Sequence, residues 1–313
     1  MHAGLAALVD PGAVAALLAS YEGDRPFVVH GARAGIAELL ALPVLASIDA
    51  MLSAWPEPVE VHLPDVADEA SSVSVSPHHA RAMFASGMGL LFSGVQRYSP
   101  TLAPWLRALR VELGLSALTE SRCLVYATPP GVGTAPHFDQ NVNFVLQVHG
   151  TKTWFLAPNT HVARPLTRHT MGQEPDPELA SYAGLPLPTA LPADRTEIVL
   201  EPGSVLFVPR GMWHATKATT ASLQLNFTFS PPSWLDVLTT ALRSRLAQSR
   251  RWRETATPLD AARFDALLRE LADDAAHWSG AEILAATEAA DAPSDAGDET
   301  DAGDAGATDA TPH

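Results

Sequence analysis

The sequence predicts a mainly β protein, an antiparallel barrel with helices before and after it. From about residue 121 to residue 230, short apolar runs alternate with Gly and Pro, a pattern typical of antiparallel strands joined by tight turns. Apolar residues at helical spacing dominate on both sides of this region. With 313 residues, of which 47% are apolar, the chain is long enough for a sizeable core.

The region before the barrel is predicted to mix helices and short strands. Asp10 and Pro11 are typical of a helix start and Gly23 of its end. Residues 34–55 have helical spacing that Pro43 interrupts, so two helical pieces are expected there. The remaining expected elements are strands at 25–31 and 58–64, a helix and a strand within 76–96, and an amphipathic helix at 101–115.

Strands within the barrel region are expected in CLVYA, at 137–147, from Lys152 onward, and in TEIVLEPGSVLFVP and ATTASLQLNFTFS. Residues 159–195 are Pro-rich and weakly periodic, which predicts a long irregular excursion. We therefore divide the chain into a main domain at 1–230, a helical region at 231–288 and a disordered acidic tail at 289–313. The tail is rich in Ala, Asp, Gly and Thr and has too few apolar residues to fold.

Composition and charge exclude few classes of protein. The formal net charge is -15, but residues 291–313 contain seven acidic and no basic residues, which leaves about -8 elsewhere. This balance gives no reason to expect a nucleic-acid surface. We find no signal peptide and no stretch apolar enough to span a membrane. The single cysteine, Cys123, is expected in the core and fits a reducing compartment, so we expect the cytoplasm.

The segment 137–147 has the polar pattern that indicates a site. Its residues alternate, so that one face of a strand would present His137, Asp139, Asn141, Asn143 and Gln147. The alternative interpretation is a strand with a solvated outer face. An imidazole and a carboxylate two residues apart, on a face without Lys or Glu, suit a lined cavity better.

These two residues supply part of a predicted metal site. Two histidines and one carboxylate leave positions open on an iron(II) ion for exogenous ligands. We expect the third ligand to be His214, on a distant strand that meets the first across the barrel. It follows a Pro-Gly turn, a buried apolar run, and then Pro209 and Gly211, which bend the chain. Four other histidines, His78, His79, His161 and His169, are expected at the surface.

The motifs GVGTAPHFDQNVNFVLQVHGTKTW and LEPGSVLFVPRGMWH resemble those of the JmjC-type, cupin-like 2-oxoglutarate oxygenases. The ribosomal oxygenases and the asparaginyl hydroxylase of hypoxia-inducible factor are the most similar branches. The resemblance covers about two thirds of the chain. It implies the double-stranded β-helix (jelly-roll) barrel of the JmjC/cupin fold. It also implies an Fe(II)- and 2-oxoglutarate-dependent dioxygenase that uses His137, Asp139 and His214 to bind iron. It also implies hydroxylation of a protein or peptide side chain, with dioxygen as a further substrate.

The resemblance also implies residues that contact the co-substrate. Lys152 stands where the asparaginyl hydroxylase has the lysine that pairs with the distal carboxylate of 2-oxoglutarate, and Thr134 would offer a hydroxyl to the same group. Asn143 and Asn226 are expected to face the cavity and contact the co-substrate. For Asn226, as for Gln147, a structural role remains an alternative.

Some features depart from the ribosomal oxygenases. Only about 55 residues with regular pattern follow Ser230, scarcely enough for both a dimerising helical region and a winged-helix module. A homodimer through the C-terminal helices is nevertheless possible. Two other functions stay open: a cupin metalloenzyme that uses another divalent metal without 2-oxoglutarate, and a non-catalytic binding module.

Overall fold

A computed structural model describes residues 3–31, 33–62 and 72–291 of the chain. The chain divides into two compact units, residues 1–233 and 234–313. The expected disordered tail lies almost entirely outside the described residues. Within the described ranges, no helix is both long and apolar enough to cross a bilayer.

The first unit contains these strands, in chain order: β1 Phe27–Val29, β2 Val59–His62, β3 Ser72–Val75, β4 Gly89–Ser93, β5 Glu120–Thr128, β6 Gly133–Phe138, β7 Val142–His149, β8 Lys152–Ala157, β9 His169–Thr170, β10 Thr196–Leu200, β11 Val205–Val208, β12 Trp213–Ala218 and β13 Ser222–Ser230. Its helices are α1 Leu5–Val9, α2 Val14–Glu22, α3 Ala37–Leu40, α4 Ile48–Ala54, α5 Pro77–Ala85, α6 Leu102–Glu112 and α7 Pro177–Tyr182.

The strands form two antiparallel sheets. The larger has the order β1-β11-β7-β13-β5-β4-β2-β3, and the smaller β10-β8-β12-β6-β9. From β5 to β8, and again from β10 to β13, successive strands alternate between the two sheets, as in a jelly roll. The predicted fold class, mainly antiparallel β with flanking helices, is confirmed.

The main core lies between the larger sheet and the N-terminal helices. Alternate residues of β5, namely Cys123, Val125 and Ala127, are buried in this core with Phe227 of β13 and Trp105 of α6. Because side chains alternate along a strand, the intervening residues of β5 face the other way, into the space between the sheets. A helical layer on one face therefore leaves the opposite face of the sheet for a cavity.

Two expectations about local structure are wrong. Residues 137–147 do not form one strand: β6 ends at Phe138, β7 begins at Val142, and the two strands belong to different sheets. Asp139 therefore lies in the connection, where its backbone oxygen accepts a hydrogen bond from Gly211 N at 2.8 Å. The excursion at 159–195 is also less irregular than expected, because it contributes β9 and α7.

The second unit contains three helices within the described residues, α8 Trp234–Leu246, α9 Ala261–Ala275 and α10 Gly280–Asp291. Arg245 of α8 forms a salt bridge with Asp274 of α9, and Arg251 forms one with Glu270. Several large apolar side chains of this unit are exposed: Trp234, Leu235, Leu238, Phe264 and Leu268.

Candidate active site

Two neighbouring strands of the smaller sheet bring the predicted metal ligands together. His214 of β12 is directly opposite His137 of β6, and their ring centroids are 4.1 Å apart. Asp139 follows β6 by one residue and turns back toward both rings, with 3.6 Å between His214 Nε2 and Asp139 Oδ2. One possible ligand atom from each of the three residues lies within 4.8 Å of the others. The expectation that His214 would approach from across the barrel is wrong, since β6 and β12 are adjacent in one sheet.

Backbone carbonyls orient both imidazoles for coordination. His137 Nδ1 lies 2.7 Å from Ala135 O, and His214 Nδ1 lies 2.9 Å from Met212 O. A carbonyl oxygen only accepts, so each Nδ1 carries the proton and each Nε2 keeps its lone pair. Burial, and then the neighbouring His137, lower the pKa of His214 to about 3, so this ring is neutral at physiological pH. The donor set therefore fits a divalent transition metal, which requires neutral imidazoles and an ionised carboxylate.

The third ligand, Asp139, has partners of its own. Arg168 Nε lies 3.3 Å from Oδ1, and Asn143 donates to Oδ2 at 3.3 Å. Asn143 in turn accepts a hydrogen bond from Thr228 at 2.7 Å. Groups that hold a ligating side chain in this way fix its orientation toward the metal. Arg168 comes from the excursion, so this segment helps to build the site.

Lys152 is the unusual charged group of the cavity, because its side chain is only 3% exposed. Its ammonium donates to Thr128 Oγ1 at 3.1 Å and to Gln224 Oε1 at 3.0 Å, both neutral acceptors on the larger sheet. Among the described residues, no carboxylate lies within salt-bridge distance of it. Burial lowers the pKa of Lys152 to about 7. A buried ammonium without an anionic partner could hold a carboxylate of a bound ligand.

Thr134 and Asn226 also face the cavity, whereas Gln147, expected on the same face as the metal ligands, does not line it. Thr134 shares a hydrogen bond of 2.9 Å with Thr216 of the neighbouring strand. Asn226 is buried, and its Oδ1 has no hydrogen-bond partner. A buried amide oxygen without a donor, such as that of Asn226, is rare in folded proteins and indicates a place for a ligand or a water molecule. Gln147 lies behind the cavity wall and donates to Ser222 at 2.9 Å.

These residues surround a cavity of about 390 Å³ between the two sheets. Its metal end contains the triad, and Trp154 stacks on His214 with 5.6 Å between ring centroids. The end formed by β2 and β5 presents Glu60, His62 and Tyr126. The volume is within the range of small-molecule sites, so a dicarboxylate and part of a second substrate could share it.

Several cavity residues were missed by the sequence analysis: Arg168, Thr128, Thr216, Gln224, Trp154, Glu60 and His62. Alternation along ATTASLQLNFTFS could have found Gln224, which has the parity of Asn226. No local signal could have found Arg168, which lies in the excursion. The expected surface position of His169 is wrong, because that ring is buried against Phe138 and Trp213.

The chain belongs to the JmjC domain family. The JmjC domain model of that family matches residues 107–237. A relative at 33% identity over 259 residues, which make up 80% of this chain and 78% of that protein, is the uncharacterized protein YxbC of Bacillus subtilis.

Two further relatives have names that state an enzymatic activity. Rat Ribosomal oxygenase 1 is 32% identical over 174 residues, which make up 53% of this chain and 26% of that protein. The bifunctional lysine-specific demethylase and histidyl-hydroxylase NO66 of Culex quinquefasciatus is 34% identical over 128 residues, 40% of this chain and 18% of that protein. The chain thus spans about a quarter or less of these relatives.

A solved structure shares the fold. The X-ray structure of Escherichia coli ycfD superposes with a TM-score of 0.51 at 18% identity, over 82% of this chain and 65% of that chain.

Proposed function

We propose that this protein is an Fe(II)- and 2-oxoglutarate-dependent dioxygenase that hydroxylates a side chain of a protein or peptide. The observation that carries the proposal is the combination, in one cavity, of a two-histidine, one-carboxylate cluster and a buried lysine that bonds only neutral acceptors among the described residues. The first is the donor set of non-haem iron oxygenases, and the second suits the far carboxylate of 2-oxoglutarate.

In this proposal His137, Asp139 and His214 hold the metal, with Arg168 and the two backbone carbonyls fixing their orientation. When bound, iron(II) supplies the redox chemistry that couples oxidative decarboxylation of 2-oxoglutarate by dioxygen to hydroxylation of a substrate carbon.

The remaining predicted residues bind and position the co-substrate. Lys152 pairs with its far carboxylate, and the Thr134 hydroxyl adds a hydrogen bond to the same group. Asn143 steadies Asp139 through its amide nitrogen, and Asn226 donates one hydrogen bond from its amide nitrogen to an oxygen of the co-substrate. Glu60 and His62, which line the cavity at the end formed by β2, contact the side chain of the substrate.

The curated relatives support a protein or peptide as substrate, since their names include ribosomal oxygenase and histidyl-hydroxylase. We further propose that the protein works in a reducing compartment such as the cytoplasm and has no nucleic acid as a direct partner.

We also propose a homodimer formed by the exposed apolar side chains of α8 and α9, such as Trp234 and Phe264. A molecular mass measured by light scattering near twice 33.2 kDa would support the dimer.

One experiment separates the proposed function from its alternatives. The protein is mixed with iron(II) and 2-oxoglutarate without oxygen, and the weak visible charge-transfer band is recorded. Air is then admitted and succinate is assayed. The band followed by succinate supports the oxygenase; metal binding without either indicates a metalloenzyme of another kind; no metal binding indicates a binding module.

Matched histidine variants test the assignment of the metal ligands. His137→Ala and Asp139→Ala should abolish the band because each removes one of three ligands. His78→Ala, which removes an exposed imidazole from α5, should leave it unchanged. A band of wild-type strength in Asp139→Ala would contradict the proposed ligand set.

A further inference from the structure

Gln147 and Gln224 lie side by side behind Lys152, and an irregularity of the sheet brings them together. Leu223 of β13 pairs with His149 of β7, but the register then shifts, so that Gln224 pairs with Gln147. A bulge of this kind re-aims a side chain, and bulges are frequent beside active sites. The two side chains are 0% and 1% exposed, so their amides must find partners inside the protein.

The turn between β7 and β8 fixes the orientation of the Gln147 amide. Its Nε2 lies 2.6 Å from His149 O, 3.1 Å from Gly150 O and 2.9 Å from Ser222 Oγ. Carbonyl oxygens only accept hydrogen bonds, so the NH₂ group must face the turn and Oε1 must face away. The turn itself requires glycine, because Gly150 has a φ of +70° and an added Cβ would lie 2.0 Å from Ala221 O.

The orientation of the Gln147 amide determines the orientation of the Gln224 amide. Gln147 Oε1 accepts a hydrogen bond of 2.7 Å from Gln224 Nε2. Gln224 must therefore turn its own oxygen toward Lys152, whose Nζ lies 3.0 Å away. The reverse orientation would point N–H groups at an ammonium and disfavour its charged form.

We propose that Gln147 is a positioning residue for the co-substrate: by fixing the Gln224 amide, it holds an acceptor oxygen against Lys152 and keeps that ammonium charged and aimed at the far carboxylate. The inference rests on the proposed function, in which Lys152 binds 2-oxoglutarate.

The charge of Lys152 is sensitive to this orientation. Burial lowers its pKa to about 7, so a modest change in its hydrogen bonds decides its charge at neutral pH. Glu60 and His62 on β2, Tyr126 on β5 and the metal-ligand triad share the cavity. Among the described residues only Thr128 and Gln224 hydrogen-bond Nζ, so the amide is the acceptor whose direction matters.

The composition of the chain makes a direct test practical, because Lys152 and Lys217 are its two lysines. Labelling the metal-free, full-length protein with [13C]lysine should give two Cε signals to follow from pH 5.5 to pH 10. The exposed Lys217 serves as the internal control. In parallel, the affinity for 2-oxoglutarate is measured calorimetrically with manganese(II) and without oxygen.

Gln147→Met should lower the midpoint of the Lys152 signal by about one pH unit, because the Gln224 amide is then free to turn. The same shift weakens 2-oxoglutarate binding about tenfold at pH 8. Gln224→Met should reproduce the shift, and adding Gln147→Met to it should change nothing further. Ser222→Ala leaves both turn carbonyls in place and should move the midpoint little.

A role in packing alone predicts a different result. Gln147→Met would then lower the unfolding temperature while the Lys152 midpoint and the 2-oxoglutarate affinity stay at wild-type values, and this would overturn the inference. If that variant does not fold, Gln147→Asn, which is too short to bridge the turn and Gln224, should give the same shift. If wild-type protein binds no 2-oxoglutarate, the proposed function fails, whereas the lysine titration still decides the role of Gln147.

Discussion

Replacing Lys152 with methionine should stabilise the protein while it removes binding of 2-oxoglutarate. Burial lowers the pKa of this lysine from 10.5 to about 7. Since one pKa unit corresponds to about 1.4 kcal/mol, the buried charge costs on the order of 5 kcal/mol. Methionine fills a similar volume but leaves Thr128 and Gln224 without their shared donor, at about 1 kcal/mol each. The expected net gain in the free energy of unfolding is roughly 2–4 kcal/mol at low pH.

The gain should depend on pH in a defined direction. Below pH 7 the lysine is charged in both the folded and the unfolded protein, so the folded state carries the full cost and the variant gains most. Between pH 7 and about 10.5 the unfolded chain binds more protons, so the wild-type protein becomes more stable as the pH rises. The advantage of Lys152→Met should therefore fall to zero at about pH 9 and reverse above it, because only the two lost hydrogen bonds then distinguish the proteins.

Urea unfolding of metal-free protein at pH 6 and pH 10 measures both effects, and calorimetry measures the loss of 2-oxoglutarate binding. Lys217→Met, at the exposed lysine, is the matched control and should change stability by less than about 0.5 kcal/mol. A Lys152→Met protein that is less stable than wild type at pH 6, or equally affected at both pH values, would refute the reasoning.

Two further predictions concern the metal site and the sheet that builds it. Arg168→Met should weaken metal binding about tenfold, since it removes the charged partner of Asp139. Arg164→Met, at an exposed arginine of the same excursion, should leave metal binding unchanged, and equal affinities of the two variants in a metal titration would contradict the role of Arg168. Gly133→Ala should destabilise the fold by more than about 2 kcal/mol, because an added Cβ would lie 1.7 Å from a backbone carbonyl of β12. The control is Gly280→Ala, where nothing lies within 4 Å, and similar unfolding midpoints for the two variants would show that β6 and β12 can separate.

Much of the architecture could be predicted because the relevant signals are local. Turn residues such as Pro202-Gly203 and the alternation of ATTASLQLNFTFS identify strands without knowledge of their partners. The segment 137–147 shows the limit of this reasoning. Its alternation continues across a break between two strands of different sheets, because Asp139 bonds to Gly211 instead of continuing a ladder.

The sequence by itself determined which side chains could serve as metal ligands, since the spacing of His137 and Asp139 and the turn residues before His214 are local features of the sequence. Only the tertiary structure decided how they meet. The register between β6 and β12 sets one histidine directly opposite the other, the excursion delivers Arg168 to Asp139, and a bulge turns Gln224 toward Lys152. Each of these depends on backbone hydrogen bonds or packing between segments far apart in the chain, which no local periodicity encodes.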